Sequence, residues 1–214
     1  MTSKELMEIL ASDEFQHDLE EISSYLATTA QEGAIVHAIA KCLWKKGHQC
    51  ALEEQNSDLF VIDRARVEFK FNYDTCMVGL EKELTRHGED LRSYSQGTKK
   101  NGWGNLYRLL KDLYNKKPEP DFFVWIICSR DLTGRKNLNY IKRSTEWQKL
   151  WDSKHPYDPN GEFLKVADSF LEKARSQSAR RFSILKEKVT TNGDFRSTYH
   201  FRICEFAKPR ETLK

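Results

Sequence analysis

Residues 57–71 of the 214-residue chain read SDLFVIDRARVEFKF, and this stretch decides the predicted fold. Two apolar runs, residues 59–62 and 65–71, flank a polar break at Asp63-Arg64. Both runs are rich in β-branched and aromatic residues, which suit a pleated surface. The stretch therefore predicts a β-hairpin centred near Asp63, which would be only a turn residue.

This hairpin would collect charged side chains on one of its faces. If Leu59 lies opposite Val67, one face is apolar, and Asp58 lies opposite Glu68 on the other, with Lys70 two residues further along. Opposed carboxylates repel each other unless a cation lies between them, and Mg²⁺ binds one or two carboxylates together with substrate phosphate. The alternative is an edge hairpin with one solvated face. That alternative fits less well with the apolar residues that flank the charges, namely Phe60, Ile62, Phe69 and Phe71.

Asp58 followed by Glu68-Phe69-Lys70 resembles the core motif of the PD-(D/E)xK nuclease superfamily, which has the restriction-endonuclease-like fold. In that family an acid opens one strand and an acid-x-lysine sequence lies on the next. Ser57 stands here where the motif often has proline. The resemblance implies that Asp58 and Glu68 hold one or two Mg²⁺ ions, for which Mn²⁺ would substitute. It also implies that the backbone carbonyl of Phe69 completes the metal site, and that Lys70 orients or helps to activate the attacking water.

Glu32 is a further candidate metal ligand. Residues 28–46 have the apolar periodicity of a helix, and Glu32 shares a face with Val36, Ile39 and Leu43. Nucleases that resemble this pattern often carry a glutamate on the helix before the first core strand, which is the position of Glu32. The alternative is a carboxylate that only interacts favourably with the N-terminus of its helix.

The other patterns up to residue 128 complete an α/β prediction. Helices are predicted over residues 3–28 (with a possible break near Ala11), 75–95 and 105–116, and a short strand over 48–55. The continuous apolar run at 121–128 is typical of a strand buried on both faces of a sheet. The order helix, strand, hairpin, helix, strand matches the core of the resembled family. We therefore expect a central mixed β-sheet flanked by helices.

The chain length suits a single domain over residues 1–214. The resemblance implies that it is a nuclease domain with its core at about 28–128. Residues 129–214 would be family-specific additions that contact DNA. They are predicted to contain a basic loop at 129–143, a short helix at 144–152, one or two helices over 162–189 and a strand at 194–206. The strand alternates so that its basic residues would form an exposed face.

Charge is distributed unevenly along the sequence. Residues 1–63 hold 4 Lys/Arg and 12 Asp/Glu, whereas residues 64–214 hold 31 and 20, so a net charge of −8 is followed by +11. This asymmetry indicates a surface that faces a polyanion. The candidate nucleic-acid contacts are Lys99, Lys100, Trp103, Arg135, Lys136, Lys142, Arg143, Arg180, Arg181, Arg196 and Arg202.

Several classes of protein are excluded or disfavoured by the sequence. No apolar run approaches the ~20 residues of a membrane span, and the first residues lack a secretory apolar region. The five cysteines are scattered without a CxxC pair, which disfavours structural zinc and indicates a reducing cytoplasm. Neither His nor Cys is placed for nucleophilic catalysis.

The sequence thus predicts a Mg²⁺-dependent endodeoxyribonuclease that acts on double-stranded DNA, of the restriction type and site-specific. A homodimer is expected, because two sites related by a two-fold axis cut two strands most simply. The alternatives are a repair or junction-resolving nuclease, an RNA nuclease, and a non-catalytic nucleic-acid-binding protein that kept the fold.

Overall fold

The computed structural model describes residues 1–25, 31–53, 57–74, 76–96, 105–130, 161, 163–192 and 196–207. The helices in these ranges are α1 (Ser3–Leu10), α2 (Asp13–Tyr25), α3 (Gln31–Lys45), α4 (Cys76–His87), α5 (Leu91–Gln96), α6 (Asn105–Leu110) and α7 (Leu164–Gln177). A 3₁₀ turn at Gly88–Asp90 joins α4 to α5, and a π-helical turn at Lys111–Asn115 continues α6. The strands are β1 (Cys50–Leu52), β2 (Leu59–Val61), β3 (Ala65–Tyr73), β4 (Phe122–Arg130), β5 (Phe182–Thr191) and β6 (Ser197–Phe206).

The strands form one mixed sheet in the order β1-β2-β3-β4-β6-β5. β3 and β4 are parallel, and every other neighbouring pair is antiparallel. Parallel neighbours require a crossover connection, and the described part of this connection consists of α4, α5, α6 and the two short helical turns. The predicted α/β class with a central mixed sheet is confirmed.

β4 lies in the middle of the sheet and shows how the two faces are covered. All nine of its residues are buried, as the apolar run predicts. Val124 and Ile126 pack in a core with residues of α1, α2 and α3, whereas Phe123 and Trp125 pack in a second core with residues of α4 to α7. Because successive side chains of a strand point to opposite faces, one continuous apolar run serves both layers of helices.

The predicted hairpin is present as β2 and β3. Leu59 lies opposite Val67 and Val61 opposite Ala65, as expected. Asp63 adopts a positive φ of 57° in the turn, a conformation that Asp and Asn tolerate better than most residues. The ladder ends at the Leu59–Val67 pair, but β3 continues along β4 as far as Tyr73. Beyond Val67, therefore, one edge of β3 has no strand beside it among the described residues.

The C-terminal part differs from the sequence prediction in two respects. The helix predicted over 162–189 ends at Gln177, and residues 182–191 form strand β5. The predicted exposed basic face of the last strand is also wrong, because β6 lies between β4 and β5 with nine of its ten residues buried. Arg202 is 4% exposed, and its Nε donates to Asp168 Oδ1 of α7 at 2.7 Å. The helix thus covers the strand face that the alternation assigned to solvent.

The remaining helix predictions are close to the structure. The predicted helix over 3–28 is present as α1 and α2, which are separated at Ala11 and Ser12, and the helix predicted over 75–95 is present as α4 and α5, which are separated by the 3₁₀ turn. The helix predicted at 144–152 lies outside the described residues. None of the helices in the described ranges combines the length and the apolar character that crossing a bilayer requires.

Candidate functional site

Two carboxylates lie at the open edge of β3. The backbone N–H of Phe69 donates to Asp58 Oδ2 at 2.6 Å, and the N–H of Phe71 donates to Glu32 Oε2. Alternate backbone groups of a strand point to opposite edges, so both N–H groups face the side where β2 has ended. An unpaired buried N–H is costly, and each carboxylate satisfies one. Two of the predicted acids are thereby brought to the same edge of the same strand.

Glu32 reaches this edge from the first turn of α3. Its face of the helix carries Val36, Ile39 and Leu43, all of them buried, so the predicted inward direction of this face is confirmed. Burial raises the pKa of Glu32, against the opposing influence of Lys70 and of the Phe71 N–H. The nearby charge of Asp58 raises it further, because like charges disfavour ionisation.

Glu68 and Lys70 both come from β3, and each pairs with a residue that the sequence prediction missed. Glu68 is 4% exposed, and its Oε1 accepts a hydrogen bond from Lys116 Nζ at 2.7 Å. Lys70 Nζ lies 3.7 Å from Asp112 Oδ2. The two partners lie on or next to the π-helical turn that follows α6, so one short segment faces both Glu68 and Lys70.

The site carries more negative than positive charge. Burial raises the pKa of Glu68 to about 7; Asp58 and Asp112 raise it as well, while Lys116 lowers it. Burial also raises the pKa of Asp112, although Lys70 and Lys116 oppose this. For Lys116, burial lowers the pKa, but the hydrogen bond to Glu68 and the neighbouring carboxylates outweigh it, so the ammonium form is favoured. The carboxylates thus compete for too little positive charge, which is a setting that attracts a cation.

The donor atoms fit Mg²⁺ in their chemistry. All are oxygens of carboxylates or backbone, the ligands that this ion prefers. Glu68 Oε2 is buried and has no hydrogen-bond partner among the described residues, so one carboxylate oxygen is left without a donor or a cation. The carbonyl of Phe69 faces the same open edge as its N–H. Across the described ranges no group of three or more His, Cys, Asp or Glu side chains could hold a metal ion. A metal would therefore depend on Asp58, Glu68, the carbonyl, and water or phosphate.

The spacing of Asp112 and Lys116 is the sequence signal that these two residues offer. They stand four residues apart, a spacing that places an acid and a lysine on neighbouring turns of a helix. Such pairs are common on solvated helix faces, so the spacing alone does not indicate a site. Only the packing of this segment against β3 gives them partners.

Most of the predicted nucleic-acid contacts lie outside the described residues, namely Lys99, Lys100, Trp103, Arg135, Lys136, Lys142 and Arg143. Arg181 and Arg196 are exposed. Arg180 donates to the carbonyl of Pro120 at 3.0 Å and lies over the Phe206 ring, so it has a packing role. Arg202 is buried against α7 and does not present a charge to solvent.

Comparison of this chain with protein-family models, with curated proteins and with solved structures finds no match. The function must therefore be argued from the geometry and chemistry of the site itself. Asp58 does not pair with Glu68 across the ladder, which ends at Leu59 and Val67; it accepts from the N–H of Phe69, between Glu68 and Lys70. The geometry also adds Glu32 at the same strand edge and supplies Asp112 and Lys116 from the crossover.

Proposed function

We propose that this chain is a Mg²⁺-dependent endodeoxyribonuclease that hydrolyses phosphodiester bonds in double-stranded DNA, as a site-specific, restriction-type enzyme. The observation that supports this best is the state of Glu68. Its carboxylate is buried, its pKa is raised, and its Oε2 has no hydrogen-bond partner in the described part of the chain. A carboxylate kept only for stability would have both oxygens satisfied, because an unsatisfied buried polar atom is costly. A cation ligand gives a reason for the free oxygen.

The topology gives separate support. Helix α3, strand β1, the β2–β3 hairpin, a helical crossover and β4 follow in the order expected from the resemblance to PD-(D/E)xK nucleases. The acid before β2 and the acid-x-lysine of β3 meet where the shorter strand ends. This order supports the proposal of a restriction-endonuclease-like core, to which β5, β6 and α7 would be additions.

Each residue then has a distinct task. Asp58, Glu68 and the carbonyl of Phe69 would hold Mg²⁺, and Glu32, at the same strand edge, would accept a hydrogen bond from a water bound to the metal. Bound Mg²⁺ would supply positive charge to the phosphate undergoing attack. Lys70, fixed near Asp112, would donate to the attacking water or to a phosphate oxygen and offset the charge that develops there.

The proposed substrate and assembly extend the same reasoning. Double-stranded DNA would be held by exposed basic residues such as Arg181 and Arg196, together with the predicted contacts outside the described residues. A homodimer would place one site at each strand of the duplex.

The test is cleavage of supercoiled plasmid DNA with Mg²⁺, with Mn²⁺ and with EDTA, by the wild type and by Lys70→Ala. Lys82→Ala, which removes an exposed lysine of α4, is the matched control. We expect cutting that depends on the metal, is lowered by about 100-fold or more in Lys70→Ala, and is unchanged in the control. Gel-shift assays with EDTA should show DNA binding in all three proteins.

Two results would contradict the proposal. If the wild type cuts neither DNA nor RNA with either metal, the chain is not a nuclease, and DNA binding without cleavage would indicate the non-catalytic alternative. If Lys70→Ala cuts as fast as the wild type, the active site lies elsewhere. Cleavage of RNA but not DNA would keep the chemistry and change the substrate.

A further inference from the structure

Lys116 is the cation that contacts Glu68 in this structure. Its Nζ lies 2.7 Å from Glu68 Oε1, a short, charge-assisted hydrogen bond. The same ammonium is influenced by the charges of Asp58 and Asp112. It therefore lies among the carboxylates that the proposed metal would have to neutralise.

The position of Lys116 is fixed by its neighbours in the chain. Tyr114 Oη donates to the carbonyl of Ala174 in α7 at 2.6 Å, and Asn115 Nδ2 donates to the carbonyl of Ser95 in α5 at 2.9 Å. These bonds anchor the residues immediately before Lys116. The next residue, Lys117, is 75% exposed and pairs with Glu119 instead. Lys116 is thus directed at Glu68 by the fold, whereas its neighbour is an ordinary surface lysine.

A divalent ion at Glu68 and the ammonium of Lys116 would compete for the same carboxylate. A divalent ion on the free Oε2 and the ammonium on Oε1 would share one carboxylate, so repulsion between the two cations would weaken the hydrogen bond between Lys116 and Oε1. Lys116 is 25% exposed, and its flexible four-carbon stem gives the ammonium a route to solvent. Exchange of one cation for the other is therefore sterically open.

We propose that Lys116 is a resident counter-cation of the metal site, which occupies Glu68 in the metal-free protein and must leave when a divalent ion binds. This inference rests on the proposed function in so far as Glu68 is a metal ligand. Its consequence is that Lys116 lowers the affinity for metal while it stabilises the metal-free fold. Metal binding and release of Lys116 are then one event.

The experiment measures Mn²⁺ binding by titration calorimetry for the wild type, Lys116→Met and the control Lys117→Met, which loses the same charge one residue away. The titrations are run at alkaline pH, because without the ammonium a proton would compete more strongly for Glu68. We expect Lys116→Met to bind Mn²⁺ about 10-fold more tightly, since a hydrogen bond to a charged group is worth at least that factor. Lys117→Met and Lys116→Arg should bind as the wild type does.

Thermal unfolding gives a second readout. In EDTA, Lys116→Met should melt below the wild type, because Glu68 is left as a buried charge without a partner. Mn²⁺ should raise the melting temperature of this variant more than that of the wild type, because the metal replaces the missing ammonium. If the methionine variant does not fold, Lys116→Gln, which keeps a hydrogen-bond donor without the charge, replaces it with the same expectations.

The inference is overturned if Lys116→Met and the wild type bind Mn²⁺ equally, or if neither binds it. It is also overturned if the gain in Mn²⁺ affinity persists when Lys116→Met is combined with Glu68→Gln, because the effect of Lys116 on metal affinity would then not act through Glu68. These outcomes are separable from the fate of the proposed function. A protein that cuts DNA without the affinity change refutes this inference alone, and one that shows the affinity change but cuts nothing refutes only the nuclease proposal.

Discussion

Replacing Glu68 by glutamine should make the metal-free protein more stable at neutral to alkaline pH. Glutamine has the shape of a protonated glutamate, so it keeps the packing and removes the buried charge. Lys116, which is partly exposed, can turn its ammonium to solvent once the carboxylate is gone. If Glu68 is retained for function at a cost to the fold, removing it relieves that cost.

The magnitude follows from the pKa of Glu68. A rise from the ordinary value of 4.5 to about 7 corresponds to at most roughly 3–4 kcal/mol, because one pKa unit is worth about 1.4 kcal/mol. The folded state binds the proton more tightly than the unfolded state, so wild-type stability falls as the pH rises from the unfolded pKa to the folded one. The variant lacks this dependence. Its advantage in unfolding free energy should therefore be near zero at a pH below 4.5, reach about 3 kcal/mol at pH ~7 and rise little further above that pH.

The assay is urea unfolding in EDTA, followed by tryptophan fluorescence, at one pH on each side of this interval. A melting experiment at the higher pH should show a rise of roughly 5–10 °C for the variant, given the usual response of a chain of this size. Glu81→Gln, which removes an exposed carboxylate of α4, should match the wild type at both pH values.

Loss of stability in Glu68→Gln at the higher pH would refute the reasoning. It would mean that the Glu68–Lys116 pair stabilises the fold overall and that Glu68 has a structural role. The same preparation should be unable to cut plasmid DNA, so a stability gain accompanied by loss of cleavage is the combined signature of a functional carboxylate.

Two further substitutions test whether Asp58 is a metal ligand and whether Arg202 stabilises the fold instead of contacting DNA. Asp58→Asn keeps an oxygen that accepts from the Phe69 N–H, so its melting temperature should be near that of the wild type. Plasmid cleavage should fall about 100-fold or more, because metal stabilisation of the reacting phosphate is worth several kcal/mol. Cleavage at the wild-type rate would show that Asp58 is not a ligand of the proposed metal. Arg202→Met should lower the unfolding free energy by about 2–3 kcal/mol, the usual contribution of a hydrogen bond between charged groups, because Asp168 loses its buried partner. The affinity of this variant for DNA should equal that of the wild type. A drop in DNA affinity without a change in melting would instead restore the predicted phosphate contact.

The central part of the candidate site could be read from the sequence because it lies within one hairpin. The register of a hairpin is set by neighbouring residues and by its turn, so the positions of Leu59, Val67 and Asp63 follow from local pattern alone. That register brings Asp58 next to the strand that carries Glu68 and Lys70. The buried strand β4 was equally clear, because a long apolar run has no other stable place in a sheet covered on both sides.

The errors occur where contacts between distant segments decide the outcome. In β5, Phe182 and Leu185 stand three residues apart and imitate a helical face, but pairing with β6 makes the segment a strand. The alternation of β6 predicts one basic, solvated face, yet α7 packs on that face and supplies Asp168 to Arg202. A pattern of polar residues shows which side chains could face water, but only the neighbouring element decides whether they do.

The sequence by itself determined the α/β class, the hairpin and the acid, acid and lysine of the motif, because these depend on side-chain alternation and on residues close together in the chain. The tertiary structure alone decided that β3 is longer than β2 and that Glu32 and Asp58 accept from the N–H groups at its open edge. It also decided that Lys116 contacts Glu68, which lies 48 positions earlier in the sequence. Local pattern fixes which side chains share a strand face. Lys116, the cation that contacts Glu68, belongs to the crossover between two parallel strands, and the position of that segment depends on the packing of the second layer of helices.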